Sequence, residues 1–319
     1  MAYTRKKRTK KTVKRLKLSS LKALLLAVSV LGVCSILLIL TIKLSTTTAS
    51  SVPSTSSVPS ASSVPSASSV PSVSSVPSAS SVPSASSVPS VSSVPKPVII
   101  IVLDDAGHNL SHLEPFLTLP HDLTIAVLPG LAYSVESAKR SRNAGKEVIL
   151  HQPMQAINLT IDPGPKSIQP DMSSSQIRAL LTENIREVGP VAGMNNHEGS
   201  LITADINAMN TIISFCKEMS LYFLDSRTNS ETKASLAALE LNTKVWERNI
   251  FLDNTQNRDD IIEMYNKGLK FADKNGMVIM IGHIWSGNNL ASILDELYDS
   301  SISKGYEFRT INSLVKTGQ

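Results

Sequence analysis

The sequence predicts an α/β protein in which a parallel sheet curls toward a barrel and helices cover it. Three observations lead there. From Pro97 onward, short continuous apolar runs alternate with amphipathic helical patterns, the signature of parallel strands buried on both faces. About seven or eight such runs fall within roughly 220 residues, which suits a closed or nearly closed barrel. No glycine-rich phosphate loop follows the first run, which argues against dinucleotide binding. An open doubly wound sheet is the rival arrangement.

The elements follow in order. "PVIIIVLDD" reads as a buried strand ending at Asp104 and Asp105, and "DLTIAVLPG" as a second. "AYSVESAKRSRNAG" is an amphipathic helix that Gly145 stops. "KEVILHQPM" is a strand ending near His151, and "SSSQIRALLTENIREVG" a helix with a serine cap. "PVAGMNNH" is a strand, "DINAMNTIISFCKEM" a helix, and "SLYFLDS" a strand ending at Asp225. A helix near Glu231–Leu241 and a strand "TKVWERN" come next. The helix "RDDIIEMYNKGLKFADKNG", the strand "MVIMIGH" ending at His283, a helix near Asn289–Ser301 and the strand "YEFRTI" complete the chain.

Asp104, Asp105, His151, Asn195, Asn196, His197, Asp225 and His283 all fall at the C-terminal ends of these strands. In a parallel barrel that end carries the chemistry. Packing alone does not place Asp or His at the end of strand after strand. Paired carboxylates and neutral imidazoles suit a Zn²⁺-like divalent ion with positions left open for water and substrate. A second carboxylate beside the ligand can take a proton from water, and a histidine across the site can protonate a departing amine. Those parts hydrolyse an amide or an ester. In "NNH", Asn195 and Asn196 are polar neighbours that orient a ligand and bind substrate, and Asp225 joins them as a substrate-binding candidate. His108, His112 and His121 follow no strand and are expected on the surface. Cys216 has helical apolar spacing and is expected in the core.

The pieces "IVLDDAG", "IAVLPG", "GKEVILHQPM", "NNHEGS", "LYFLDS", "FLDNTQN" and "IGH" occur in this order over about residues 98–315. In this the chain resembles the divergent polysaccharide deacetylases. The resemblance implies a distorted (β/α)7 barrel and a metal-dependent carbohydrate N-deacetylase acting on N-acetylated glycans. By matching position, it implies Asp105, His151 and His197 as metal ligands, Asp104 as the base and His283 as the acid. Better-known deacetylases take two metal histidines from one H-x-x-x-H motif. Here Met154 and Gln155 occupy that neighbourhood, and the second histidine comes from "NNH". The rival class is a non-catalytic glycan-binding protein built on the same barrel.

Charge is segregated along the chain. Of 31 Lys and Arg, 11 lie in residues 1–43, which hold no acid; beyond them stand 20 basic against 26 acidic residues. The basic balance therefore belongs to the tail and excludes a basic nucleic-acid-binding domain. Residues 1–22 form that tail, and residues 23–42, "ALLLAVSVLGVCSILLILTI", are free of charge and long enough to span a bilayer. The basic flank places the N-terminus in the cytoplasm, so the rest lies outside the inner membrane. Residues 43–96 form a linker in which Val-Pro recurs every six residues, eight times between Val52 and Pro95, with no charge between Lys43 and Lys96. Such a segment buries too little surface to fold, and it reads as a disordered linker. Residues 97–319 are the globular domain. Protease added to spheroplasts is expected to cut the Val-Pro repeats and release the domain; a fully protected domain would reverse this topology.

Overall fold

The computed structural model describes residues 96–318. The basic tail, the apolar span Ala23–Ile42 and the Val-Pro repeats lie outside the described residues. Among the described residues, no helix is long and apolar enough to cross a membrane.

Nine strands form one sheet, and every pairing in it is parallel. The strands are β1 (Val98–Ala106), β2 (Thr124–Val127), β3 (Glu147–Met154), β4 (Gly193–Glu198), β5 (Tyr222–Asp225), β6 (Val245–Glu247), β7 (Ile250–Phe251), β8 (Met277–His283) and β9 (Glu307–Phe308). Their order is β6-β5-β4-β3-β2-β1-β8-β7, with β9 beside the start of β1. The two ends of this path, β6 and β7, are separated by only Arg248 and Asn249. Arg248 N–H donates to Asp225 O at 3.0 Å on one side, and Asn249 N–H donates to Ile279 O at 2.9 Å on the other. The chain thus steps from one edge strand straight to the opposite one, which curls the sheet into an incomplete barrel. The expected strand "TKVWERN" is present as the shorter β6, and β7 beyond it was not expected.

The covering helices are α1 (Leu110–Leu117), α2 (Ser134–Asn143), α3 (Ser174–Val188), α4 (Ile206–Glu218), α5 (Ala234–Glu240), α6 (Arg258–Asn275), α7 (Gly287–Ser303) and α8 (Ile311–Thr317). Sequence chemistry sets their ends. Ser173 and Gln176 form a reciprocal capping box before α3. Asp205 caps α4 through the amides of Asn207 and Ala208. Asn257 caps α6, and Gly276 ends it in the left-handed region at φ 81°. Helix α1 was not expected, because Pro115 stands inside it; Asn109 caps its start. The expected strand "YEFRTI" shrinks to two residues, because Thr310 caps α8 instead.

Alternation along the strands sorts the core into two parts. Ile99, Ile101 and Leu103 face outward to the helices. Ile100 and Val102 face inward and meet Ile149, Leu224, Trp246 and Ile281, while Ile311 and Leu314 of α8 close the barrel floor. Gly193 lies against the Tyr222 ring; a Cβ there would sit 2.6 Å from it. Any larger residue at Gly193 would displace that ring. Cys216 is buried in α4, and burial pushes its thiol up to about 12.

His121 corrects the expectation of a surface residue. It is 3% exposed, lies flat on Tyr298 at 3.9 Å between ring centres, and neither ring nitrogen has a hydrogen bond. Burial, helped by the charge of Lys146, lowers its pKa from 6.5 to about 4. Above pH 6.5 the ring is neutral in folded and unfolded chains alike. As pH falls from 6.5 toward 4, the unfolded chain takes up a proton that the folded one resists, so stability drops. The expected loss is on the order of 2–3 kcal/mol. In urea titrations at pH 7 and pH 4.5, His121→Phe should show a smaller drop in unfolding free energy than wild type.

Candidate active site

Inward-facing rows that are apolar at the floor become polar at the mouth. In β1 the row runs Ile100, Val102, Asp104; in β3, Ile149 and then His151; in β8, Ile279, Ile281 and then His283. Asn195 and His197 share the inner face of β4. Asp105 should point outward by this alternation, but it does not. The register with β2 shifts between Leu103 and Ala106, and Asp105 adopts φ 67°. This bulge turns a second consecutive carboxylate toward the mouth.

Three atoms converge there. Asp105 Oδ1 lies 3.2 Å from His151 Nε2 and 3.0 Å from His197 Nδ1, and the two nitrogens are 3.0 Å apart. Ligand atoms around a tetrahedral zinc ion stand about 3.4 Å apart, so the triangle is within a few tenths of an ångström of that size. Asp105 Oδ1 is buried and has no hydrogen bond. An orphaned carboxylate oxygen between two imidazole nitrogens is a donor set that fits a divalent cation.

The neighbours fix the orientation of these side chains. Asn195 Nδ2 donates to Asp104 Oδ1 at 2.8 Å, which leaves Asn195 Oδ1 to accept from His151 Nδ1 at 2.7 Å. His151 Nε2 is then free to act as a ligand. Asp105 Oδ2 accepts from Trp285 Nε1 at 3.0 Å. Asp104 Oδ2 lies 3.7 Å from His151 Nε2. Burial raises the pKa of Asp104, against the opposing charges of His151 and His283. Burial also pushes Asp105 up, but its contacts with His151 and His197 outweigh this and hold it well below the usual carboxylate range. Burial pushes His151 down, yet Asp104 and Asp105 override it and carry the imidazole to about 9.

His283 stands across the mouth. Its Nδ1 donates to Asp253 Oδ1 at 2.8 Å, and its backbone N–H to Asp253 Oδ2 at 2.9 Å. Ser286 Oγ also donates to Asp253. Burial lowers the His283 pKa, but the hydrogen bond to Asp253 and the charges of Asp253, Asp104 and Asp105 together raise it overall. This pairing leaves Nε2 of His283 for exchange with a substrate.

The structure brings Asp104, Asp105, His151, His197 and His283 together. The three expected substrate contacts are placed differently. Asn195 is fully buried and spends its side chain on Asp104, His151 and Ser226. Asn196 faces the other side of β4, donates to Glu198 O and Thr228, and accepts from Ser226 N–H. Asp225 follows the outward row of Phe223; its oxygens accept from Arg227 N–H and Thr232. All three hold the mouth loops instead of presenting polar groups to solvent. Asp253, Trp285 and Arg248 were not singled out from the sequence. Asp253 follows β7 as the other acids follow their strands; it escaped because the expected strand ended at Asn249.

Comparison with known proteins agrees with this architecture. The family model described as divergent polysaccharide deacetylase matches residues 101–315. The chain belongs to the divergent polysaccharide deacetylase family. Over 186 residues it is 36% identical to the uncharacterized protein YibQ of Escherichia coli K12, covering 58% of each chain. Over the same length it is 30% identical to an uncharacterized protein of Haemophilus influenzae, covering 58% of this chain and 66% of that one. The matches thus span less than two thirds of these relatives' own lengths. An uncharacterized protein of Agrobacterium tumefaciens C58 has a similar fold, with a TM-score of 0.65 at 16% identity, over 70% of this chain and 91% of that one.

His151→Ala and His197→Ala should each abolish stoichiometric zinc uptake, with thermal unfolding changed little, because both side chains sit above the apolar core. Full metal content in the His197→Ala protein, read by atomic emission, would remove β4 from the donor set. Asn195→Ala should weaken zinc binding by about 10–100-fold through the lost grip on His151.

Proposed function

We propose that this chain is a metal-dependent carbohydrate N-deacetylase of the cell envelope, anchored by Ala23–Ile42 and reaching outward on its Val-Pro linker. The observation that carries the reading is the convergence of Asp105, His151 and His197 on one point, with Asp104 and His283 flanking it. Family membership supports the substrate class, an N-acetylated glycan. Asp105, His151 and His197 would hold a divalent ion, zinc by the chemistry of these donors, and it would supply Lewis-acid polarisation of the amide carbonyl and a more acidic water.

The remaining steps belong to the chain's own residues. Asp104 accepts the proton of the attacking water through its carboxylate, which Asn195 holds in place. Its raised pKa makes it a better base than an ordinary surface aspartate. His283 protonates the departing amine from Nε2. Asp253 fixes the ring and stabilises its cationic form, which keeps the proton available near neutral pH. The bond broken is the amide C–N; the acyl group leaves as a carboxylate and the sugar keeps a free amine.

Asp104→Asn preserves size and the Asn195 neighbourhood but cannot take a proton. It should retain zinc and lose about 10²–10⁴-fold in acetate release from N-acetylated glycans. His283→Ala should also slow turnover, with zinc content unchanged. A wild-type protein that binds such glycans and never releases acetate would instead be a glycan-binding module, and Asp104→Asn would then bind equally well.

A further inference from the structure

Four planar groups are stacked along the β7–β8 side of the mouth. The Arg248 guanidinium lies 3.7 Å from the centre of the Phe251 ring. Phe251 stacks on His283 at 5.7 Å between ring centres and 25°, and His283 stacks on Trp285 at 4.9 Å and 22°. Both ends of the row are fixed. Arg248 donates to the backbone oxygens of Ser226 at 2.7 Å and Arg227 at 3.0 Å. Trp285 donates its indole N–H to Asp105 Oδ2. One side chain therefore touches both the proposed acid and a proposed metal ligand. It is also 47% exposed, whereas Trp246, the other tryptophan, is buried in the barrel.

We propose that Trp285 joins metal binding to glycan binding. Its N–H holds Asp105 so that only Oδ1 turns toward His151 and His197. Its exposed ring is the platform for a pyranose of the glycan. A carboxylate left to itself rotates and can present either oxygen, or both, to a cation. A donor fixed on Oδ2 removes that freedom and orders the ligand before the ion arrives. The exposed part of the indole has a second use. The C–H face of a pyranose is apolar and packs on an aromatic plane, while the hydroxyl groups around its edge stay in water. A sugar held on Trp285 lies next to His283, the group that protonates its amine. The platform half of this inference rests on the deacetylase reading; the metal-holding half does not.

Two variants of the full chain separate the roles. Trp285→Phe keeps an aromatic plane and removes the N–H; Trp285→Ala removes both. Zinc affinity is read by competition with a chromophoric chelator. Binding of the β-1,4-linked N-acetylglucosamine tetramer to metal-free protein is read by calorimetry. Trp285→Phe is expected to weaken zinc binding by about 10–100-fold and to keep tetramer affinity within about threefold of wild type. Trp285→Ala is expected to weaken both, with thermal unfolding close to wild type because the indole is a rim residue. Unchanged zinc affinity in Trp285→Phe overturns the positioning role. Unchanged tetramer affinity in Trp285→Ala, in a protein that still releases acetate when loaded, overturns the platform and leaves the deacetylase reading standing. A wild type that neither binds nor deacetylates the tetramer overturns both the platform and that reading, while the zinc measurement still decides the fate of Asp105.

Discussion

A strand in a parallel barrel can send only every second side chain inside. That constraint decides what the mouth contains. The inner rows of β1, β3 and β8 begin as isoleucine and valine at the floor and end as Asp104, His151 and His283. Because the floor is filled by apolar side chains and closed by α8, the polar ends lie in a fixed frame. Each of these strands delivers its group at the end of its inner row, and the hydrogen-bonded register with its neighbour sets the height. Asp104 stands opposite His283 in the β1–β8 register, and His151 opposite Asn195 in β3–β4.

Two departures from strict alternation complete the site. The bulge at the end of β1 adds Asp105 to a face that Asp104 already occupies, at the cost of left-handed backbone at a non-glycine residue. The interruption between β6 and β7 brings Arg248, Phe251 and Asp253 to the mouth from a segment that serves both edges of the sheet. The bulge supplies the third donor of the triangle. The interruption supplies the partner that orients His283.

The same periodicity explains what was legible in the sequence. Continuous apolar runs ending in Asp or His identified the strands and the end at which those polar side chains converge. They did not separate inner from outer faces, and Asn196 and Asp225 were therefore read as substrate contacts although they sit on the outward rows. Counting in twos from Met194 and Phe223, both of which pack against the helices, would have placed them there. Helix α1 was hidden by Pro115, whose effect on helix pattern outweighs the capping signal of Asn109. His121 looked like a loop residue because its partners, Tyr298 and Phe308, are far away in sequence. Trp285 carried no signal at all, since its hydrogen bond to Asp105 spans 180 positions.

Adjacent carboxylates are chemically alike in a sequence, and in "DDAG" only position within the family's motif distinguishes them. Their surroundings do. Asp104 is sunk into the barrel, and burial moves its pKa upward. Asp105 is partly buried, but it lies against two imidazoles and is driven the other way. Neighbouring carboxyl groups pushed apart in this manner have different chemical capacities: one holds a proton more readily, and the other stays an anion. An anion facing two nitrogens suits a cation site, and a carboxylate with raised affinity for protons suits a base. His151 links the two, since the charges of both acids carry it to about 9. The opposite pKa directions of Asp104 and Asp105 thus follow from where one bulge leaves each carboxylate relative to His151 and His197.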